Sequence, residues 1–157
     1  MGLSDKVVSF FEKQNFVIVA TLDGKGAVHC SAKGIIGVDL GEILVADLYL
    51  THTYKNLKKN PQVSLTAVEE HSFTGYTLQG KARLVVREDI PVEWIEQWES
   101  RIVKRMSHRV VKGVQNKSKS RVHFEAGLPP HLQYVMAVRV DNVVDLAPPG
   151  RDRNHHG

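Results

Sequence analysis

Short apolar runs separated by turn signals recur along the first ninety residues of the chain. The segment FVIVATLDGKGAVHC places Asp23 and Gly24 between two such runs, which is a strong signal for a β-hairpin. A second turn is predicted at residues 39–42, and the strands GEILVADLYL, QVSLTAV and GYTLQGKARLVV follow it. Gly80 lies within the last of these strands, and a glycine in that position often marks a bend in a barrel.

Helical periodicity replaces strand alternation in two short segments. Residues 4–14 carry apolar side chains on one side, and Ser4 can cap the helix that they predict. A second helix is predicted over about residues 53–60, with Thr53 at its start. It should end there because Pro61 follows, and a helix usually stops before a proline.

The second half of the chain predicts a longer helix and a final strand region. A proline opens the helix, in which Trp94 and Trp98 recur with apolar neighbours at helical spacing, and we interpret both as ordinary core residues. The basic segment 112–121 is predicted to be a loop. The sequence QYVMAVRVDNVVDL predicts either a strand pair or one bent strand.

These elements together predict a mainly β fold, a six-stranded antiparallel split β-barrel of Greek-key type with two or three flanking helices. Closure into a barrel removes exposed strand edges. No repeat or linker divides the 157 residues, so residues 1–147 are predicted to form a single domain and residues 148–157 a flexible tail. This length is sufficient to bury a sizeable core without disulfides.

Composition and charge limit the cellular locations and the binding partners that the sequence predicts. One cysteine excludes an internal disulfide and, with no leader-like N-terminus, indicates a reducing, cytoplasmic location. No apolar run approaches the roughly 18 residues that span a bilayer. Eight Lys or Arg residues and no acid fall between Arg101 and Arg121, which predicts either an anionic partner or a solvated helix face. The block lacks interleaved aromatic residues and a known motif, which argues against nucleic acid.

The segment ADLYLTHTYKNLKKNP places polar residues where an apolar strand leads into a helix. Backbone N–H groups at a helix start lack intrahelical partners and carry partial positive charge, so they can bind an anion. Thr51 and Thr53 add hydroxyl groups, while His52 and Lys55 add further donors, and this combination suits a phosphate monoester. The alternative interpretation is a plain helix cap followed by solvated lysines.

The strand VHCSAKG is rich in small and polar residues, and small side chains let a flat ligand approach the backbone. The alternative is a half-exposed strand, in which Cys30 is a small buried residue and His29 lies at the surface. No Ser-His-Asp constellation, paired carboxylate, HxxxH or CxxC spacing indicates a separate catalytic or metal centre.

In order along residues 3–86, the N-terminal helix and the segments IVATLDGKGAVHCSAKG, ILVADLYLTHTYKNLKKNPQVSLT and TGYTLQGKA resemble the FMN-binding split-barrel superfamily. That group includes pyridoxamine 5'-phosphate oxidase-like proteins and flavoredoxins. The resemblance implies an FMN-binding oxidoreductase or electron carrier, and a homodimer with FMN at the interface. A nicotinamide nucleotide or another anionic small molecule is a candidate partner. Split barrels of this kind also hold haem, and that alternative stays open.

The resemblance further implies which residues contact the cofactor. The set is His29, Cys30, Ser31, Ala32, Lys33, Ala46, Asp47, Leu48, Thr51, His52, Thr53, Lys55, Gly75 and Tyr76. The first five match the strand along the flavin, and the next three match the strand whose end contacts the ring and ribityl chain. The following four match the phosphate-binding segment, and the last two match a strand near the pyrimidine side of the ring.

The chain departs from the vitamin B6 oxidases of that superfamily at three places. The phosphate pair is His52-Thr53, where relatives often carry Arg-Lys or Lys-Thr, and Gly75 stands where those enzymes carry glutamine. Their C-terminal Trp and Arg-Leu-x-Pro signature is only echoed by DLAP at residues 145–148. These departures indicate a flavin-binding member with a different reaction.

Overall fold

Six antiparallel strands close into one barrel, in the computed structural model, which describes residues 2–116 and 131–150. The strands are β1 (Phe16–Leu22), β2 (Val28–Asp39), β3 (Glu42–Asp47), β4 (Gln62–Glu69), β5 (Thr74–Val86) and β6 (Tyr134–Asp145). Their spatial order is β1-β2-β3-β6-β5-β4, with β4 pairing back onto β1. The order β4-β1-β2-β3 is that of a Greek key. The predicted mainly β, six-stranded fold is confirmed.

Within the described residues, three α-helices flank the barrel, namely α1 (Asp5–Glu12), α2 (His52–Lys59) and α3 (Val92–Asn116), with a 3₁₀ turn at Arg87–Asp89. Ser4 caps α1 as predicted, because its hydroxyl oxygen accepts a hydrogen bond from the N–H of Val7 at 3.4 Å. Among residues 2–116 and 131–150, no helix combines the length and the apolarity needed to cross a membrane.

Two predicted boundaries are wrong, and each has a local cause. The third strand ends at Asp47 rather than Leu50, because the Asp47 carboxylate accepts a hydrogen bond from the N–H of Tyr49 and turns the chain. Residues 112–116 are helical rather than a loop. Lysine and glutamine are good helix formers, and a single glycine costs only about 1 kcal/mol relative to alanine. Residues 117–121 and the tail residues 151–157 lie outside the described residues.

The predicted turn and the predicted bend are both present. The Asp23 carboxylate accepts hydrogen bonds from the N–H groups of Lys25 and Ala27, at 2.8 and 2.9 Å, and these bonds lower the pKa of Asp23. The β5–β6 register shifts at Gly80, where a Cβ atom would collide with the carbonyl oxygen of Arg139. The final segment is therefore one bent strand, as one of the two predictions stated.

Two clusters of buried side chains hold the helices against the barrel. The interior cluster contains alternating apolar residues of the strands, to which α1 adds Phe11 and α2 adds Leu57. The second cluster lies between the opposite face of the sheet and α3, which contributes Trp94 and Trp98. The Trp98 ring lies over Gly34, where a Cβ atom would come within 2.6 Å of it. The prediction that both tryptophans are core residues is confirmed.

Candidate functional site

The start of α2 presents exposed polar groups that no side chain caps. Thr51 is the N-cap residue, yet its hydroxyl makes no capping hydrogen bond, and the first turn contains no acidic residue. Thr51, His52 and Lys55 are exposed. The rings of His29 and His52 are 5.2 Å apart between their centroids, which places β2 beside this helix start. The arrangement combines free helix N–H groups with a hydroxyl, two imidazoles and an ammonium group.

α2 begins at His52, one residue before the start predicted at about residue 53, and Thr53 fastens the helix to the barrel. Thr53 lies in the first turn, is 1% exposed, and shares a 3.0 Å hydrogen bond between its hydroxyl and that of Ser31. One turn later, Asn56 donates a hydrogen bond to the hydroxyl of Thr21 at 3.1 Å. These two contacts hold α2 against β1 and β2.

The predicted site residues of β2 lie on two opposite faces, since side chains alternate along a strand. His29, Ser31 and Lys33 lie on the half-buried side that meets α2, whereas Cys30 and Ala32 are exposed on the outer face. Cys30 is therefore not the small buried residue that one interpretation of the sequence described.

One backbone edge of β2 is unpaired along the same residues. The strand pairs with β1 from Val28 to Gly34, but with β3 only from Gly34 onward. Among the described strands, residues 28–33 therefore have no neighbour on the β3 side. Some of their N–H and C=O groups are available to a ligand at this edge, because alternate residues of a strand point their backbone groups to opposite sides.

A buried carboxylate lies close to this edge. Asp47 is 1% exposed, and its Oδ2 accepts hydrogen bonds from Lys33 Nζ at 2.9 Å and from the hydroxyl of Tyr134 at 2.7 Å. Its Oδ1 accepts one from the N–H of Tyr49 at 3.1 Å. Burial and the hydrogen bond to Asp47 raise the pKa of the Tyr134 phenol above its usual range. Lys33 and Asp47, both predicted to contact the cofactor, thus pair with each other.

The side chains of the remaining predicted residues pack into the buried clusters, and Gly75 lies on a distant strand. Ala46 and Leu48 belong to the cluster beneath α3. The Tyr76 ring is buried against Phe10, with 5.2 Å between ring centroids. Gly75 on β5 is separated from β2 by β4 and β1. It is therefore about 14 Å away along the sheet at the usual strand spacing.

A groove of about 500 Å³ runs over the outside of the barrel near the hairpin. Ala20, Leu22 and Val28 form its apolar side, while Ser64 and Gln79 form part of its polar side. Its volume falls within the range of small-molecule pockets, roughly 300–1,000 Å³. No sequence signal indicated this groove, because it depends on the bend of β5 and β6.

The outer face of β1 and of residues 28–32 of β2 is apolar and exposed in the described chain. Phe16 is 58% exposed and Val28 is 67% exposed, with the small residues Cys30 and Ala32 on the same face. Contiguous exposed apolar surface of this kind is typical of a region that another molecule covers.

Part of the basic block joins α3 to the end of α1. The Arg101 guanidinium donates hydrogen bonds to the carbonyl oxygens of Gln14 at 2.9 Å and Glu12 at 2.7 Å, and burial lowers the pKa of this guanidinium. Arg105 lies over the Trp98 ring, 5.5 Å from its centroid. No group of three or more possible metal-ligating side chains occurs among the described residues.

Comparison with known proteins gives a family match and several structural matches. The family model described as Pyridoxamine 5'-phosphate oxidase matches residues 3–128. No curated protein matches the sequence significantly.

Three solved structures illustrate the structural likeness. A protein of the pyridoxinephosphate oxidase family from Clostridium acetobutylicum, related to general stress protein 26, is 15% identical with a TM-score of 0.56, over 91% of this chain and 89% of its own. The heme storage protein HutZ from Vibrio cholerae is 16% identical with a TM-score of 0.56, over 92% and 94%. An F420 reductase is 13% identical with a TM-score of 0.57, over 90% and 98%. At identities this low, the structural matches show that the fold is shared and nothing further.

Proposed function

The chain belongs to the pyridoxamine 5'-phosphate oxidase family, and we propose that it is an FMN-binding flavoprotein that acts as an oxidoreductase or electron carrier. The observation that carries this proposal is the uncapped start of α2, fastened beside the unpaired edge of β2 by the hydrogen bond between Ser31 and Thr53. A ligand with a terminal anionic group would match the helix start, and a planar ring in the same ligand that forms hydrogen bonds would match the strand edge.

The phosphate end of the cofactor matches the start of α2. A phosphate dianion accepts hydrogen bonds from free helix N–H groups and is stabilised by the helix dipole. Exposed Thr51, His52 and Lys55 supply further donors and a positive charge, and no acid in the first turn opposes them. These three residues would hold the phosphate, while the buried hydroxyl of Thr53 keeps the helix in place.

The ring end matches residues 28–33 of β2. Ser31 and the small side chains of Cys30 and Ala32 leave the backbone approachable, and the edge toward β3 has no strand partner. Backbone N–H and C=O groups there would bond the polar edge of the ring and fix its orientation. Bound FMN supplies the electron-transfer chemistry, and the protein binds and orients it.

A homodimer is part of this proposal. The exposed apolar face around Phe16 and Val28 provides a surface for a second copy. Gly75, which the family resemblance places near the ring, is distant from β2 of its own chain, so a second copy is the source that would bring it to the site. Analytical ultracentrifugation of the chain and of Phe16→Lys tests the dimer, and a monomeric unsubstituted chain would contradict it.

Titration of the purified chain with FMN tests the cofactor assignment. We expect saturable quenching of flavin fluorescence and a bound absorption band near ~450 nm, which is typical of flavins. Anaerobic addition of NADH or NADPH then shows whether a nicotinamide nucleotide reduces the bound flavin. Unchanged fluorescence across the titration would overturn the proposal.

A haem-binding module is the second candidate, favoured by the fold shared with the heme storage protein HutZ. His29 and His52 offer neighbouring imidazoles at the same site, and imidazole is an ordinary haem ligand. Titration with haemin separates the two candidates. A sharp absorption band that is lost in the His29→Ala, His52→Ala variant, together with no response to FMN, would favour haem.

A further inference from the structure

The Asp47 carboxylate is enclosed by protein donors and is linked to the start of α2 by three routes, two of which start at its separate oxygen atoms. Its Oδ1 accepts the N–H of Tyr49, in the four-residue link between β3 and α2. Its Oδ2 accepts the hydroxyl of Tyr134, whose ring contacts the Tyr54 ring in the first turn of α2, with 4.9 Å between centroids. Both routes end at the segment that carries the exposed donors.

A third link runs through β2. Asp47 binds Lys33, which is two residues from Ser31 on the same face of the strand, and Ser31 binds the hydroxyl of Thr53. The carboxylate thus joins β2, β3 and β6 to α2. Low polarity strengthens these hydrogen bonds and makes an unpaired member costly, so the cluster has one strongly favoured geometry.

We propose that Asp47 is a positioning residue for the phosphate end of the site. It holds the link between β3 and α2, and the first turn of α2, in the geometry that a phosphate-bearing ligand requires, without touching the ligand. This inference rests on the proposed function, and it assigns to Asp47 a role different from the cofactor contact that the family resemblance implies.

Affinities for FMN and riboflavin, measured side by side, test the proposal because only FMN carries the phosphate. In Asp47→Asn the amide cannot accept from all three donors, so the start of α2 loses its fixed position. We expect the ratio of FMN to riboflavin affinity to fall at least about tenfold, which is close to the lower limit for one charge-assisted hydrogen bond. The matched control is Asp39→Asn, since Asp39 ends β2 and binds Trp94 Nε1 at 2.9 Å. An unchanged ratio in a folded Asp47→Asn protein would overturn the proposal.

A second variant separates positioning from simple instability. Lys33→Met combined with Asp47→Leu removes both charges of the ion pair at once. Replacing a buried ion pair by apolar residues often preserves stability. The N–H of Tyr49 and the hydroxyl of Tyr134 still lose their acceptor. A stable double variant with the reduced ratio supports positioning, and one with the ratio of the unsubstituted chain refutes it.

Amide hydrogen exchange distinguishes failure of this inference from failure of the proposed function. If the unsubstituted chain binds neither flavin, the proposed function fails, and exchange of the hydrogen-bonded N–H groups of Tyr49 and Lys55 decides the role of Asp47. Faster exchange there in Asp47→Asn than in Asp39→Asn supports positioning. Equal exchange in the two variants would overturn it.

Discussion

The two eight-residue helices α1 and α2 begin in opposite ways. At the start of α1, Ser4 caps the N–H of Val7 and Asp5 provides a negative charge in the first turn. At the start of α2, Thr51 makes no capping bond and the first turn carries no acid. Both helices contribute buried side chains to the same core, so the difference does not come from their packing.

The start of α1 is capped by residues adjacent in sequence, whereas the start of α2 is held in place by residues that are distant in sequence. The first turn of α2 is held by two contacts. Thr53 binds the hydroxyl of Ser31, and the Tyr54 ring packs on the ring of Tyr134 in the last strand. These contacts fix the position of the helix but leave its terminal N–H groups uncapped. A missing cap costs about 1 kcal/mol, and an anion bound there would offset that cost.

The largest expected effect concerns the charge at the α2 start. Lys55→Ala should weaken FMN binding by about 1.5–3 kcal/mol, the usual value for a hydrogen bond to a charged group. Lys59→Ala removes the same charge at the other end of the helix, and should change affinity by less than about 0.5 kcal/mol, since surface charges act weakly over distance. Fluorescence titration measures both, and equal losses would contradict a phosphate at the α2 start.

The second effect concerns the distant residues that hold α2. Burial and the hydrogen bond to Asp47 raise the pKa of Tyr134, so its stabilising contribution is complete below the unfolded-state pKa of tyrosine. Above about pH 10 the unfolded chain loses this proton while the folded chain keeps it. The free energy of unfolding should then fall by about 1.4 kcal/mol per pH unit.

Tyr134→Phe provides the comparison for this pH effect. The variant keeps the ring that packs on Tyr54 but has no ionisable hydroxyl, so its stability should depend less steeply on alkaline pH. Urea unfolding of both proteins between pH 9 and pH 11, values chosen to bracket about pH 10, measures the difference. Parallel pH profiles would show that the phenol is not held in its neutral form.

The smallest effect compares the two caps directly. Ser4→Ala should destabilise the ligand-free protein by about 1 kcal/mol, because it removes an N-cap hydrogen bond. Thr51→Ala should cost less than about 0.5 kcal/mol, because no capping bond is lost. Adding FMN should increase the destabilisation caused by Thr51→Ala, since we propose that Thr51 contacts the phosphate. If Thr51→Ala is as costly as Ser4→Ala without ligand, the α2 start is not uncapped.

Local pattern was sufficient for the elements and for the location of the exposed donors. The Asp23 turn, the Gly80 bend and the helix before Pro61 each follow from the conformational preferences of residues adjacent in sequence. The same holds for the polar segment around His52, whose position between a strand and a helix can be predicted from the amino-acid sequence alone. The end of α3 was mispredicted because a lysine-rich helix and a polar loop have similar composition.

By itself, the sequence determined a six-stranded barrel and a helix start with exposed polar donors, because alternation, turn residues and helix ends depend on near neighbours. Tertiary structure alone decided that Thr53 is buried, that Lys33 is neutralised by Asp47, and that Tyr134, 87 residues from Asp47, completes that cluster. The physical reason is that barrel closure sets which strands are adjacent and which face of each strand is covered. Charge pairing between distant residues follows only once that register exists.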